Sequence, residues 1–144
     1  MPVGSSIEFF FQKKPVFLPN RISLKSFIAG ILKKEGRKLN SLNYVFCSDK
    51  FLLDINNDFL GHNYYTDIIS FDLSGAKNPL QGEIYISIDR VRENAQNLGL
   101  SFKSEIHRVI FHGVLHFCGY SDKKKKEIQI MRAREEYYLK KYFE

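Results

Sequence analysis

The chain has 144 residues, 44% of them hydrophobic, which is a size and composition typical of one compact domain. Its 13 Phe and 8 Tyr residues exclude a disordered chain, because disordered segments contain few aromatic residues. The formal net charge of +6 at pH 7 indicates, on its own only weakly, an anionic partner such as RNA. We therefore expect a single folded domain over residues 1–144.

The composition also argues against a membrane protein. No apolar run approaches the roughly 18 residues needed to span a bilayer, and the segment 106–118 is interrupted by histidines and an arginine. No apolar signal segment is present at the start of the chain, so Cys47 and Cys118 are predicted to be reduced thiols. These features predict a cytoplasmic protein with no membrane contact.

Strands and helices alternate in the first part of the chain. Apolar residues alternate over 7–11, before Pro15, which predicts a first strand. Helical spacing of apolar residues predicts a helix over 22–35, which Gly36 ends. The aromatic and β-branched run 42–47 predicts a second strand, and a short helix is expected over 49–56.

The second part of the chain contains two more predicted strands and then only helices. The strands are expected at 67–73 and 83–88, separated by a loop rich in Gly, Asn and Pro. Three helices are then predicted, at 89–98, 101–118 and 127–142. Because the elements interleave unevenly, we expect the α/β (α+β) class, with a small mixed four-stranded sheet packed with about five helices.

The strongest chemical signal is the segment that runs from His112 to Asp122. His112 and His116 are four residues apart, so they lie on the same side of a helix one turn apart. Gly119 can adopt the left-handed conformation that ends a helix, which lets the chain turn back and bring Asp122 to the histidines. Two imidazoles and one carboxylate form a zinc site with a fourth position open for water. We therefore predict one catalytic Zn²⁺ per chain, used for hydrolysis.

Not every histidine of this helix is expected to bind metal. His107 lies about 140° around the helix from His112, which places it on another side. We expect it to be a core histidine or to support a metal ligand, with the core role favoured. The apolar residues of the same helix are predicted to form its buried stripe, which consists of Ile106, Ile110, Val114 and Phe117.

Three motifs of the sequence resemble the YbeY family of bacterial endoribonucleases. Residues 112–122 are similar to the family pattern His-Gly-x-Leu-His-x-x-Gly-Tyr-Asp-His. Residues 66–71 resemble its Thr-Asp-Val-Leu-Ser-Phe element, and residues 82–87 resemble its Gly-Asp-Ile-x-Ile-Ser element. The three motifs occur in the family's order.

The resemblance implies a zincin-like fold and metal-dependent cleavage of single-stranded RNA. It implies a role in ribosomal RNA maturation, including the 3′ end of 16S RNA, and in ribosome quality control. The implied partners are ribosomal RNA and the ribosomal subunit, and DNA is not expected. His112 and His116 match the first two metal ligands of the family. Because the third motif lies along the family's substrate cleft, the candidate catalytic residues also include Glu83, Ser87 and Arg90.

Two positions depart from the family pattern. Asp122 stands where the family usually has its third histidine, and we retain Asp122 as the third ligand because zinc also binds carboxylates. The added negative charge is expected to raise the pKa of a metal-bound water and to slow catalysis near neutral pH. Leu60 falls where many members carry an arginine that holds the RNA phosphate. Arg90 and His62 are candidate substitutes for that cation.

Two alternative functions stay open at this point. Metallopeptidases also set two histidines four residues apart, but they need a glutamate general base at the position that Gly113 occupies. The other alternative is an RNA- or ribosome-binding factor whose zinc is not catalytic. Lysines 123–126 are either a solvated face or a phosphate contact. Four C-terminal aromatic residues could stack on bases but are expected to be mostly core, namely Tyr137, Tyr138, Tyr142 and Phe143.

Overall fold

A computed structural model describes residues 6–13, 15–16, 18–75 and 77–144. Within them, the four predicted strands and five predicted helices are confirmed, in the predicted order. In chain order they are β1 (Ile7–Phe11), α1 (Arg21–Lys34), β2 (Leu39–Cys47), α2 (Asp49–Leu60), β3 (Ile68–Asp72), β4 (Leu80–Ser87), α3 (Ile88–Leu98), α4 (Phe102–Phe117) and α5 (Lys125–Tyr142).

The sheet is mixed, as the sequence predicts. Its strand order is β1-β2-β4-β3, in which β1, β2 and β4 are parallel and β3 is antiparallel to β4. Each parallel pair is connected through a helix, because parallel neighbours need a long crossover connection. Strand β3 therefore forms one edge of the sheet and β1 forms the other.

Helix α4 packs on one face of this sheet through the predicted apolar stripe, all four residues of which are buried. Gly113 allows close contact with the sheet, because a Cβ atom at this position would lie 2.8 Å from Cδ1 of Ile84. Tyr44 strengthens the contact by donating a hydrogen bond from its hydroxyl to the Ile110 carbonyl, at 2.9 Å. Helix α2 covers the other face, where Leu52 packs with Cys47 and Ile69.

Several elements are longer than predicted. Strand β2 begins at Leu39 rather than residue 42, and β4 begins at Leu80 rather than residue 83. The two strands pair with each other from their first residues, so backbone pairing extends them beyond their apolar runs. Helix α2 continues to Leu60 rather than residue 56, and Gly61 ends it with φ of 67°. Glycine adopts this left-handed conformation without steric cost.

The structure describes both cysteines and all five helices, which bear on the predicted thiols and on the predicted lack of a membrane span. Cys47 and Cys118 are both free, and burial raises the pKa of each thiol to about 12. Across the part of the chain that the structure describes, no helix is both long enough and apolar enough to cross a bilayer.

Candidate active site

The end of α4 brings a histidine and a carboxylate together. Helix α4 ends at Phe117, and Gly119 follows with φ of 101°, which turns the chain back. As a result, Nε2 of His112 lies 3.2 Å from Oδ2 of Asp122. A tetrahedral zinc ion about 2 Å from a nitrogen and an oxygen would hold those two atoms roughly 3.3 Å apart. The observed separation of His112 and Asp122 therefore suits a shared cation.

The second nitrogen of each histidine has a partner that leaves Nε2 available. Nδ1 of His112 donates to Glu135 Oε2 at 2.5 Å, and Nδ1 of His116 donates to the Tyr120 carbonyl at 3.1 Å. Partners of this kind fix the tautomer and the ring orientation of metal-binding histidines. Tyr120 is itself anchored, because its hydroxyl donates to Glu35 Oε1 at 2.8 Å.

The structure assembles two of the three predicted ligands. Among the described residues, no group of three or more His, Cys, Asp and Glu side chains is close enough to hold a metal ion. His116 is exposed, one turn beyond His112, and does not complete such a group with the His112–Asp122 pair. The donor types fit zinc, and the three-ligand set stays a prediction.

Glu135 of α5 connects His112 to an arginine, and sequence reasoning did not find it. Its side chain is only 1% exposed, and Oε1 accepts a hydrogen bond from Arg108 Nη1 at 3.0 Å. Burial alone would raise the pKa of Glu135, but the hydrogen bond from His112 and the charge of Arg108 together lower it below its ordinary value. Arg108 also donates two hydrogen bonds to Glu105, at 2.8 and 2.7 Å. Glu135 is therefore a buried carboxylate that orients His112.

Two adjoining cavities, of about 190 and 240 Å³, open beside His112 and Asp122. Both are lined by these two residues and by Arg108 and Arg132, and the second cavity extends to Asp67. Burial raises the pKa of Asp67, although the charge of Arg108 opposes this effect. The cavities therefore bring two candidate metal ligands together with two guanidinium groups.

Arg132 was also missed from the sequence. Its side chain is 53% exposed, and Nη1 lies 3.6 Å from Glu135 Oε1, so the guanidinium remains largely accessible from the cavity. The available signal was helical spacing, because Ile128, Arg132 and Glu135 fall on one side of α5 and together line the first cavity.

Three predicted catalytic residues, Glu83, Ser87 and Arg90, do not line the two cavities beside His112. Along β4, Gly82 and Ile84 face α4, so the alternation of side chains directs Glu83 and Ser87 to the opposite face of the sheet. Glu83 accepts a hydrogen bond from the Tyr85 hydroxyl at 3.1 Å. Neither Glu83 nor Ser87 lines the two cavities.

Ser87 and Arg90 belong to a network that joins the starts of α2 and α3. The Ser87 hydroxyl accepts from the Arg90 backbone N–H at 3.1 Å and donates to Asp49 Oδ1 at 2.7 Å. Arg90 donates to Asp49 Oδ2 at 2.7 Å and to Glu93 at 3.1 Å. This network gives Ser87 and Arg90 a structural role, and their catalytic roles stay predictions.

The other candidate cations lie outside the two cavities. His62 sits in the loop after α2, where its Nδ1 is 3.0 Å from the Tyr64 hydroxyl. Lysines 123–126 are all exposed, and α5 begins at Lys125 rather than at Glu127 as predicted. The exposure of these lysines fits both of the roles considered for them.

Residues expected in the core are mostly found there. His107 is fully buried, donates from Nδ1 to the Lys103 carbonyl at 2.7 Å and stacks on Tyr142, which confirms a core histidine. Tyr138 is buried, and Tyr137 and Tyr142 pack against the core. The remaining C-terminal aromatic residue, Phe143, is 44% exposed.

The position after His112 argues against a peptidase. Gly113 faces the sheet, where even a Cβ atom would come within 3.0 Å of Ile68 Cδ1. A glutamate at this position would therefore enter the core instead of the cavity, and the general base of that mechanism has no place here.

Comparisons with known proteins identify the family of the chain. Residues 13–143 match the family described as Endoribonuclease YbeY. The Endoribonuclease YbeY of Cytophaga hutchinsonii is 49% identical over 129 residues, which cover 89% of this chain and 90% of the relative. That of Karelsulcia muelleri is 42% identical over 133 residues, covering 92% and 93%. The solution structure of TM1509 from Thermotoga maritima has a TM-score of 0.67 at 26% identity and covers 95% of this chain and 89% of that one.

The fold and the relatives first define a class, the small α+β nucleases with a mixed four-stranded sheet. Within that class, the chain belongs to the endoribonuclease YbeY family. This membership confirms the family resemblance of the three sequence motifs.

Proposed function

We propose that this chain is a zinc-dependent endoribonuclease that cleaves single-stranded RNA in the cytoplasm during ribosomal RNA maturation. The observation that carries the proposal is the 3.2 Å approach of His112 Nε2 to Asp122 at the edge of an arginine-lined cavity. Family membership supports the RNA substrate. The roles in 16S 3′-end processing and ribosome quality control, and the ribosomal subunit as partner, follow from the resemblance.

In this proposal, His112, His116 and Asp122 hold one zinc ion, with Asp122 replacing the family's third histidine. A zinc ion bound there supplies an activated water and a Lewis acid for the phosphoryl oxygens. Glu135 keeps the proton of His112 on Nδ1 and so directs the Nε2 lone pair toward Asp122. The protein's own task is then to position the RNA phosphate beside these side chains.

Arg132 is the best-placed residue for that task. It stands at both cavities beside His112, its guanidinium is largely exposed, and a guanidinium binds phosphate through two parallel hydrogen bonds. Arg108 contributes positive charge, but its guanidinium already donates hydrogen bonds to Glu105 and Glu135. We therefore assign to Arg132 the role of the arginine that is missing at Leu60.

The test combines metal analysis with cleavage of matched single-stranded and duplex RNA. The unsubstituted chain should contain about one zinc ion and cleave only the single strand. His112→Ala, His116→Ala and Asp122→Ala should each lose zinc and cleavage. Arg132→Ala should keep its zinc and lose about 100-fold in kcat/KM. Arg92→Ala removes an exposed charge from α3 and serves as the matched control, with activity unchanged.

The outcomes separate the alternatives. Zinc bound without cleavage would favour the RNA-binding factor over the enzyme. Full zinc content in Asp122→Ala would remove Asp122 from the ligand set. Neither zinc nor metal-stimulated cleavage in the unsubstituted chain would contradict the proposal as a whole.

A further inference from the structure

We propose that the loop between α2 and β3 holds the bases of the RNA substrate by stacking. Three aromatic rings, those of His62, Tyr64 and Tyr65, make up this surface, which we call the aromatic loop. The inference rests on the proposed function and adds to it the place where substrate bases bind.

The tyrosine rings of the aromatic loop are available to a ligand. Tyr64 is 56% exposed and Tyr65 is 53% exposed, whereas Tyr138 of the C-terminal group is 3% exposed. Exposed aromatic side chains that lie next to one another on a surface are typical of binding sites. The exposed faces of these two rings are therefore accessible to a bound ligand.

The loop is also held in a defined conformation. Asn56, which is 2% exposed, donates from its side-chain amide to the Tyr64 carbonyl at 2.9 Å. The carbonyl of Asn56 accepts from the His62 backbone N–H at 3.1 Å. The His62 and Tyr64 rings stack with centroids 5.2 Å apart and planes 19° apart. A preformed pair of rings loses little conformational entropy when a base stacks on it, which favours binding.

The guanidinium of Arg90 lies directly beside Tyr65. The Cζ atom of Arg90 is 5.1 Å from the centroid of that ring, and Asp49 accepts a hydrogen bond from the same guanidinium at 2.7 Å. A guanidinium over an aromatic face is a favourable contact, so Arg90 holds the Tyr65 ring in place while the exposed part of the ring stays accessible to a base. Because Arg90 is also paired with Asp49 and Glu93, its part in RNA binding is to position the Tyr65 ring.

The aromatic loop leads straight into the candidate active site. Thr66 and Asp67 directly follow Tyr65 in the chain, and both line the cavity that contains His112 and Asp122. An RNA strand stacked on Tyr64 and Tyr65 therefore lies next to the cavity. The occupant we infer is a single strand, because the bases of a duplex are already stacked on each other and their faces are not available.

The direct test measures binding of a short oligoadenylate in the cleavage-deficient His116→Ala background. Tyr64→Leu and Tyr65→Leu keep an apolar side chain but remove the ring, and each should raise Kd for the single strand by at least about fivefold. Tyr64→Phe keeps the ring face and should bind as the parent does. Phe10→Leu, which removes a 49% exposed ring from β1 at the other edge of the sheet, is the matched control and should not change Kd.

A spectroscopic measurement distinguishes stacking from a structural effect. The chain contains no tryptophan, so Tyr64→Trp creates a single tryptophan in the aromatic loop, whose emission can be followed separately from that of the tyrosines. Stacked bases should quench its emission when oligoadenylate is added. Phe10→Trp should not respond, and neither variant should respond to a duplex of the same sequence.

Two results would overturn the inference, and they are distinguishable. If the unsubstituted chain cleaves RNA but Kd is unchanged in both leucine variants, the stacking role alone is rejected. The aromatic loop would then be expected to contact a protein. Failure of the unsubstituted chain to bind or cleave RNA would instead reject the proposed function, and the stacking role with it.

Discussion

Two clusters of the molecule combine an arginine with shared carboxylates, and they differ in what surrounds them. In the α4–α5 cluster, Glu135 accepts hydrogen bonds from both Arg108 and His112 and is 1% exposed. In the α2–α3 cluster, Asp49 accepts from Ser87 and Arg90, and its side chain is 22% exposed. The first cluster leaves His112 Nε2 facing a cavity, whereas the second joins two helix N-termini.

This difference shows that similar polar groups can either orient a candidate metal ligand or join the starts of two helices. The α2–α3 cluster satisfies backbone N–H groups at helix starts, as when Asp89 accepts from the Asp49 N–H at 2.8 Å. The α4–α5 cluster instead provides hydrogen-bond partners for side chains. One of these side chains, His112, keeps its Nε2 atom available for a ligand. Variants of the shared residues can therefore separate stability from activity.

The largest effect is expected for Glu135→Ala. Removing this carboxylate takes one of two carboxylate partners from the partly buried Arg108, which keeps Glu105, so the free energy of unfolding should fall by about 1–3 kcal/mol. His112 also loses its Nδ1 acceptor, and zinc affinity should weaken by about 10- to 100-fold. Urea unfolding and zinc titration measure the two effects.

Glu136→Ala is the matched control, because Glu136 is the exposed neighbour on the same helix. It should change the free energy of unfolding by no more than about 0.5 kcal/mol. Equal losses for the two glutamates would contradict the special position of Glu135.

A smaller effect is expected for Ser87→Ala in the other cluster. The substitution removes the N-cap of α3 and should lower the free energy of unfolding by about 0.5–2 kcal/mol. Because Ser87 faces away from α4, kcat/KM for single-stranded RNA should not change. Ser101→Ala, which removes the N-cap of α4, is the control for the loss of a cap alone. A large loss of cleavage with stability preserved in Ser87→Ala would restore the catalytic role predicted for Ser87.

The parts of the site that sequence predicted are those fixed by local geometry. The spacing of the apolar stripe defined α4, and the glycine after it allowed the approach of Asp122 to be expected. That approach involves only ten residues of chain and one reversal at Gly119, so it depends little on the rest of the fold.

The parts that sequence missed depend on how distant elements pack. Glu135 and Arg132 reach the cavity only because α5 packs against α4, and no local pattern states which helices meet. Alternation along β4 shows that Glu83 and Ser87 share a face, but not which face α4 covers. The close contact at Gly113 settles that question, and it becomes visible only in the folded chain.

The smallest effect concerns His107, which is one of three histidines of α4 and belongs to neither cluster. Burial lowers its pKa, the hydrogen bond to the Lys103 carbonyl opposes this shift, and the Lys103 charge adds to it. In the unfolded chain, His107 has an ordinary pKa of about 6.5, so it is protonated at a higher pH than in the folded chain. Protonation therefore favours the unfolded chain, and the stability of the folded chain falls as the pH drops below about 6.5. His107→Phe fits an environment of Phe111, Tyr142 and Phe143 and cannot titrate. Urea unfolding at pH 7 and pH 5 should therefore show a larger loss of stability for the unsubstituted chain than for His107→Phe, and parallel losses would contradict the buried neutral state.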